Sequence, residues 1–568
     1  MLLVLVLCGS AAYVLSQTGM VSYFETRFSY LKYINFLNAA LNGLSVSALC
    51  LSLITTSKSR AVLIVVHGIL AFVFVSVMLY QDYFHAMPHL NSVTQLLYVA
   101  YIGNQIISQL MGYREWFVLG LLMISLGASL HLLRWVRQGA VHPRLQSFMR
   151  WGYPLLVVLF VSKLVFVMVA RPIHNTDNLD SIQAFKEYGY LPYYAHQLYH
   201  KLSRSRQAAS WPGKIHPAPH ALDIAAGNRG KNVIFLQMES LDKKLIDHVV
   251  DGDVVVPFLS GLARDNLFFT YYYAQHAGGG SSDTEISSLI SLLPLKNNQG
   301  HMTLETGQVV SLCDVLKQED YVCLGMHANT GAFFNRESGF LKMGFDIFLD
   351  QDDYTGDASG WDSRDADFLA QSVARLERLD QPFLAYLITM QGHGPFQNYD
   401  HGSAVFSSPS GIVQDYFNTM HDVDAAVAEF FTRLDVTGLY QNTIFFVFGD
   451  HESGLEFATL NDDDLRGPAA AMVDRVPLII VNAGFDAREV TKAGSPVDLA
   501  PTVLDFLGLS EPEHWLGTSL LQGREGTVII NGSTPLLIRN SPGGIRYVFD
   551  VNQESRPYVA YSEQVLDP

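Results

Sequence analysis

The sequence predicts an N-terminal α-helical transmembrane bundle of about five helices, followed by an exported α/β domain with a central, mostly parallel sheet. Two observations predict it. Of the 568 residues 49% are hydrophobic, and most of the excess falls before residue 171 in stretches near bilayer-spanning length. In the C-terminal half, four apolar runs of strand length each lead to a residue that can bind a metal or carry a proton.

The apolar stretches run from Leu2 to Leu15, Phe36 to Ile54, Ala61 to Leu79, Phe117 to Leu133 and Tyr153 to Ala170. The first is short, but it lacks a basic leader and further apolar spans follow, so it reads as a retained helix rather than a signal peptide. With a cytoplasmic amino terminus, the inner loops hold Lys58, Arg60, Arg134, Arg137, Arg144 and Arg150, against Arg27, Lys32 and Arg114 outside. That bias puts everything after Ala170 outside the cytoplasm. Residues 171–230 read as a membrane-proximal linker, with the Tyr-rich Tyr188 to Tyr199 beside Lys201 and Arg204 suited to a membrane surface.

A net charge of -17 argues against nucleic acid as a partner, since a phosphate backbone is met by clustered Lys and Arg. Of the four cysteines, Cys8 and Cys50 fall in apolar spans, whereas Cys313 and Cys323 lie in the exported half and could pair there.

From residue 231 to 568 strands and helical stretches alternate. The four chemical strands are Val233 to Met238 into Glu239, Tyr321 to Met326 into His327, Phe383 to Met390 leading to His393, and Thr443 to Phe448 leading to Asp450 and His451. Ligands of such sheets bind beyond the carboxyl ends of the strands, so these side chains can converge. Val476 to Val481 reads as a further strand and Pro496 to Leu507 as a helix entry with Asp498 as its cap. From about residue 527, short β-rich pieces predict a small antiparallel appendage.

Glu239, Asp450 and His451 combine two carboxylates with an imidazole, a donor set for a divalent ion such as manganese or magnesium, and less exclusively zinc. Gly449 supplies flexibility for a tight metal-binding turn. Gly278-Gly279-Gly280 precedes Ser281, and Ser282 with Glu285 fits a capping box, which predicts a helix start able to receive an anion. The metal would activate the Ser281 hydroxyl for attack on phosphorus or sulfur, while His327, His393 and Arg336 bind the tetrahedral anion and protonate the leaving oxygen.

These blocks resemble the alkaline phosphatase and sulfatase superfamily, and within it the lipoteichoic acid synthase type of phosphoglycerol transferase. Asn232 to Met238 before Glu239, Gly279 to Glu285, His327-Ala328-Asn329, Phe334-Asn335-Arg336-Glu337, Gly392 to Phe396 and Gly449-Asp450-His451 carry the likeness, with Val476 to Ile480 and Asp498 to Thr502 at the C-terminal end. The chain departs from the family where Ser281 stands for the usual threonine, Gly280 for lysine and Phe334 for tryptophan. Asp283 and Glu285 occupy the Pro and Arg places of the formylglycine motif, which argues against that chemistry.

The resemblance implies a sulfatase-like exported domain in a multi-pass protein of a bacterial inner (cytoplasmic) membrane. Ser281 is then nucleophile and metal ligand beside Glu239, Asp450 and His451, with His393 catalytic and His327, Phe334, Asn335 and Arg336 binding substrate. One divalent ion, manganese first and magnesium or zinc next, is the implied cofactor. The implied donor is phosphatidylglycerol, and the acceptor a glycan, lipid or polyglycerolphosphate. Phosphoethanolamine transfer, phosphodiester hydrolysis and a non-catalytic lipid-binding regulator are the alternatives.

Overall fold

The structure, a computed structural model, describes chiefly residues 59–84, 113–139, 210–216 and 228–566, the last with short breaks at 276–279, 296–299, 458–472 and a few narrower places. The chain forms two compact units, 1–205 and 206–568. In the first unit lie α1 (Arg60–Phe84) and α2 (Tyr113–Arg137). Within them, Arg60–Met78 and Glu115–Arg137 are long and apolar enough to cross a membrane. The two helices pack through Leu63, Ala128, Leu132 and Leu133, while Ile64, Ile69, Phe72, Trp116 and Met123 stay exposed. The other three expected spans and the Tyr-rich linker segment lie outside the described residues.

The second unit is built on an eight-stranded sheet. Its strands are β1 (Asn232–Met238), β2 (Leu267–Tyr273), β3 (Val322–His327), β4 (Ile347–Leu349), β5 (Phe383–Ile388), β6 (Thr443–Gly449), β7 (Arg475–Val481) and β8 (Arg488–Val490). The spatial order is β8-β2-β7-β6-β1-β5-β3-β4. All pairings are parallel except those of β7, which runs antiparallel to β6 and β2. The expected sheet is therefore mixed: a buried apolar run such as Arg475–Val481 reads the same in either direction.

Both faces of the sheet are covered, which is why β1 has no polar alternation. Val233 and Phe235 join one apolar layer with α4 (Ser281–Ile290) and α8 (Leu499–Leu507). Ile234, Leu236 and Met238 join the other, with α3 (Pro257–Asp265), α6 (Asp365–Leu376) and α7 (Ile412–Val436). Successive side chains of a strand point to opposite faces, so each layer takes every second residue. The helix α5 (Arg336–Lys342) follows β3.

Cys313, on the short helix Leu312–Leu316, is disulfide-bonded to Cys323 on β3. Asp498 does not cap α8 as expected. It holds the N-cap position of α8 without a side-chain cap bond, and its carboxylate instead accepts the Ser495 amide at 3.0 Å and the Thr518 amide at 2.9 Å.

The last part contains an antiparallel sheet of β9 (Thr527–Ile530), β10 (Leu536–Ser541) and β11 (Gly544–Phe549). It ends in a helix, α9 (Arg556–Leu566), which the β-rich reading of that stretch did not anticipate. Residues 210–216 lie along this C-terminal part as a strap. The Ile215 amide donates to Leu516 O at 2.8 Å, Thr518 Oγ1 to His216 O at 2.7 Å, and Lys214 pairs with Glu511 at 3.1 Å.

Candidate active site

Register brings the chemical residues together. Met238 lies opposite Gly449, and the Asp450 amide donates to Met238 O at 3.2 Å, so Glu239 and Asp450 leave the sheet side by side. On the other flank β5 lies between β1 and β3, with His327 opposite Ile388. Gly449 is in an ordinary strand conformation; it is needed for space, because a Cβ there would fall 2.5 Å from Leu241 O. The expectation that it supplies turn flexibility is thereby corrected. Gly392 has the same role, with its would-be Cβ 2.2 Å from Glu239 O.

Donor atoms of Glu239, Asp450 and His451 lie within 4.8 Å of one another. His451 Nε2 is 3.3 Å from Glu239 Oε1 and 3.9 Å from Asp450 Oδ2. Asp450 Oδ1 accepts the amides of Ser240 and His451 at 2.9 and 2.8 Å, and Ser240 Oγ donates to Glu239 Oε1 at 2.9 Å. Among the described residues no Lys or Arg pairs with either carboxylate.

Burial and the adjoining charge of Glu239 push the Asp450 carboxyl upward. Burial alone would also raise Glu239, but His451 holds it well below the carboxylate range, and the two carboxylates hold His451 well above the imidazole range despite its burial. The arrangement draws positive charge to its centre, and its oxygen-rich donors fit a divalent cation.

The helix α4 begins at Ser281, two residues earlier than the predicted box, with Gly280 as N-cap at φ 56° and ψ -129° where Ser282 was expected. Such backbone favours glycine. Gly278 and Gly279 lie outside the described residues. Ser281 Oγ donates to Glu239 Oε2 at 3.2 Å and lies 3.5 Å from His451 Nε2. Behind them, Tyr386 OH donates to Gln237 Oε1 at 2.6 Å. Gln237 Nε2 lies 3.4 Å from Ser281 O and 3.5 Å from Asp450 Oδ2.

Glu285 is not a capping residue. It is fully buried and accepts both Nε and Nη2 of Arg336 at 2.8 to 3.0 Å, and His301 Nε2 at 2.8 Å. Two of the three guanidinium nitrogens of Arg336 are thus engaged within the protein. Phe334 and Asn335 both have positive φ, which turns the chain into α5; the Phe334 ring lies 5.5 Å from the Arg336 guanidinium, and Asn335 Nδ2 donates to His301 O.

His327 is buried, and its Nδ1 faces Ile388 O at 3.0 Å. A carbonyl only accepts, so Nδ1 carries the hydrogen and Nε2 is a bare acceptor. Burial, helped by the Arg336 charge, pushes this imidazole down to about 3. It is therefore neutral in the working range and suited to receive a hydroxyl. His393 Nδ1 lies 2.8 Å from Gly394 O, which directs proton exchange to Nε2.

Two contributors were missed in the sequence. Asp365 is fully buried and accepts the Met390 and Gln391 amides at 3.0 and 3.2 Å, fixing the segment that leads to His393. His301 lies on a short helical turn, Gly300–Thr303, before α5. Neither stands at a strand exit, so no local pattern marked them.

Residues 231–509 match the sulfatase family. The chain is 32% identical over 317 residues to lipoteichoic acid synthase 2 of Bacillus subtilis (strain 168), covering 53% of this chain and 48% of that one. It is 31% identical over 324 residues to the lipoteichoic acid synthase-like YvgJ of the same organism, covering 54% and 52%. The chain thus spans about half the length of these two relatives. A longer match, 25% identical over 491 residues, is to lipoteichoic acid synthase 1 of that bacterium, covering 80% and 74%. Among solved structures, the lipoteichoic acid synthase LtaP from Listeria monocytogenes superposes with a TM-score of 0.54 at 21% identity, covering 62% of this chain and 94% of that one, which shows a common fold. With its strand-end carboxylates and imidazole, residues 231–509 form a sulfatase-family domain of the alkaline phosphatase/sulfatase superfamily.

Proposed function

We propose that the chain transfers glycerol phosphate from phosphatidylglycerol to a hydroxyl of a glycan, lipid or polyglycerolphosphate acceptor, through a covalent ester on Ser281. The observation that carries this reading is the Ser281 hydroxyl at the start of α4, 3.2 Å from Glu239 and 3.5 Å from His451. The names of the Bacillus relatives point the same way.

A divalent ion held by Glu239, Asp450, His451 and Ser281, manganese before magnesium or zinc, would supply the charge that lowers the proton affinity of an adjoining hydroxyl. Ser281 Oγ, losing its proton to water, attacks phosphorus as the bond to the diacylglycerol oxygen breaks. His393 gives its Nε2 proton to that oxygen. In the second half the acceptor hydroxyl returns a proton to His393 as its oxygen displaces Ser281 Oγ from phosphorus, and Ser281 Oγ regains its proton from water. Arg336, with Asn335 and Phe334 beside it, binds the phosphoryl oxygens, and His327 Nε2 accepts from a headgroup hydroxyl.

A lipid donor gives apolar helices a purpose, because anchoring at the headgroup layer raises the effective donor concentration. The reading therefore includes a multi-pass location in the bacterial cytoplasmic membrane with the site outside, supported by the two apolar helices.

Intact mass spectrometry of the full chain, loaded with manganese and given phosphatidylglycerol, tests the reading. A glycerophosphate adduct mapping to Ser281 is expected, lost in Ser281→Ala together with at least about a thousandfold of turnover. Unchanged turnover in that variant would falsify the covalent mechanism.

A further inference from the structure

Glu285 follows Ser281 by four residues on α4, so the two share a helix face. Its carboxylate lies between two partners from later in the chain. Arg336 takes it through Nε and Nη2, and His301 donates to Oε2. The imidazole is completely buried and stacked on Phe340, with centroids 5.6 Å apart and planes 29° apart. Its Nδ1 has no hydrogen-bond partner among the described residues. Gly339 leaves room for it, since a Cβ at that position would lie 2.1 Å from Nδ1.

A buried imidazole with one nitrogen unsatisfied carries a desolvation cost that an apolar ring of similar size would avoid. What it adds is a single donated hydrogen bond, to the carboxylate that holds Arg336. We propose that His301 is the positioning residue for Arg336. By donating to Glu285 Oε2, the oxygen that the Arg336 Nε also reaches at 3.0 Å, it fixes the carboxylate and so ties the anion-binding fork to the helix that carries Ser281, leaving Nη1 outside the Glu285 contacts. The Asn335 side-chain amide donates to His301 O at 3.1 Å, which joins the His301 segment to the one that carries Arg336. This inference rests on the proposed role of Arg336 in binding phosphoryl oxygens.

Calorimetric binding of inorganic phosphate to the manganese-loaded full chain tests it without requiring turnover. His301→Leu is expected to weaken phosphate binding about tenfold, the scale of one hydrogen bond to a charged group. His301→Gln, which places a donor near the Nε2 position, is expected to stay within about twofold of the native protein. In an Arg336→Lys background, His301→Leu is expected to add nothing, because the two changes act on one contact.

Unchanged phosphate binding in His301→Leu, or an equal loss in both backgrounds, overturns the proposal. Should His301→Leu lose its cooperative melting, His301→Asn replaces it. Asn is too short for the Nε2 position, so binding equal to that of His301→Gln also overturns the proposal. Failure of phosphatidylglycerol turnover would instead count against the donor assignment and leave this measurement intact.

Discussion

Glu285 is the residue whose surroundings most clearly convert into a titration. Burial alone would raise its carboxyl, but Arg336 and His301 bring it from the ordinary 4.5 down to about 2. A depressed folded-state value stabilises the protein above the unfolded-state value, and the gain is lost as pH falls from about 4.5 through about 2. Glu285→Gln is therefore expected to cost about 3 kcal/mol near neutral pH, as breaking one side of a buried pair does. Denaturant unfolding of native and variant chains should show the difference shrinking across that acid window. A difference independent of pH would mean that the ionised carboxylate is not what stabilises this contact. The same residue shows how motif reading can mislead. Ser282 and Glu285 have capping-box spacing, yet Arg336, 51 residues away, outcompetes a backbone amide for the carboxylate.

Strands were legible because their chemistry is local. Apolar runs ending at Glu239, His327 and Asp450 announced both a buried sheet and the edge that holds the candidate site, and the register of β1 between β5 and β6 explains why those ends coincide. The reversed direction of β7 was not legible, since direction is decided by the path of the connection and leaves no mark in Val476 to Val481. His301 and Asp365 were not legible either; their roles depend on partners brought in by tertiary packing. Gly449 was singled out for the wrong physical reason, and this is testable. The Leu241 carbonyl leaves no room for a Cβ, so Gly449→Ala must separate β6 from the turn after Glu239. A loss of about 2 kcal/mol or more in stability is expected, from overpacking against backbone. Manganese affinity measured by calorimetry should fall with it; an unchanged affinity would show that the turn absorbs the methyl group without moving Glu239.

The described chain combines two apolar helices with a sulfatase-family domain whose sheet is covered on both faces, and one tie within that domain is covalent. Cys313 and Cys323 are separated by 10 residues, and closing so short a loop is expected to stabilise the fold by about 2–3 kcal/mol through the unfolded chain. A reductant should therefore lower the melting temperature of the native protein and leave that of a Cys313→Ser, Cys323→Ser double variant unchanged. Equal melting with and without reductant would show that the bond adds nothing to the equilibrium.

The strap at residues 210–216 has a mechanical consequence. Ile215, His216 and Lys214 are fastened to residues 511–518, far along the sequence from β1. The strap thus works as strain relief does on a cable. A pull on the upstream chain is taken up at the C-terminal end of the fold, and the strand that carries Glu239 is spared the load.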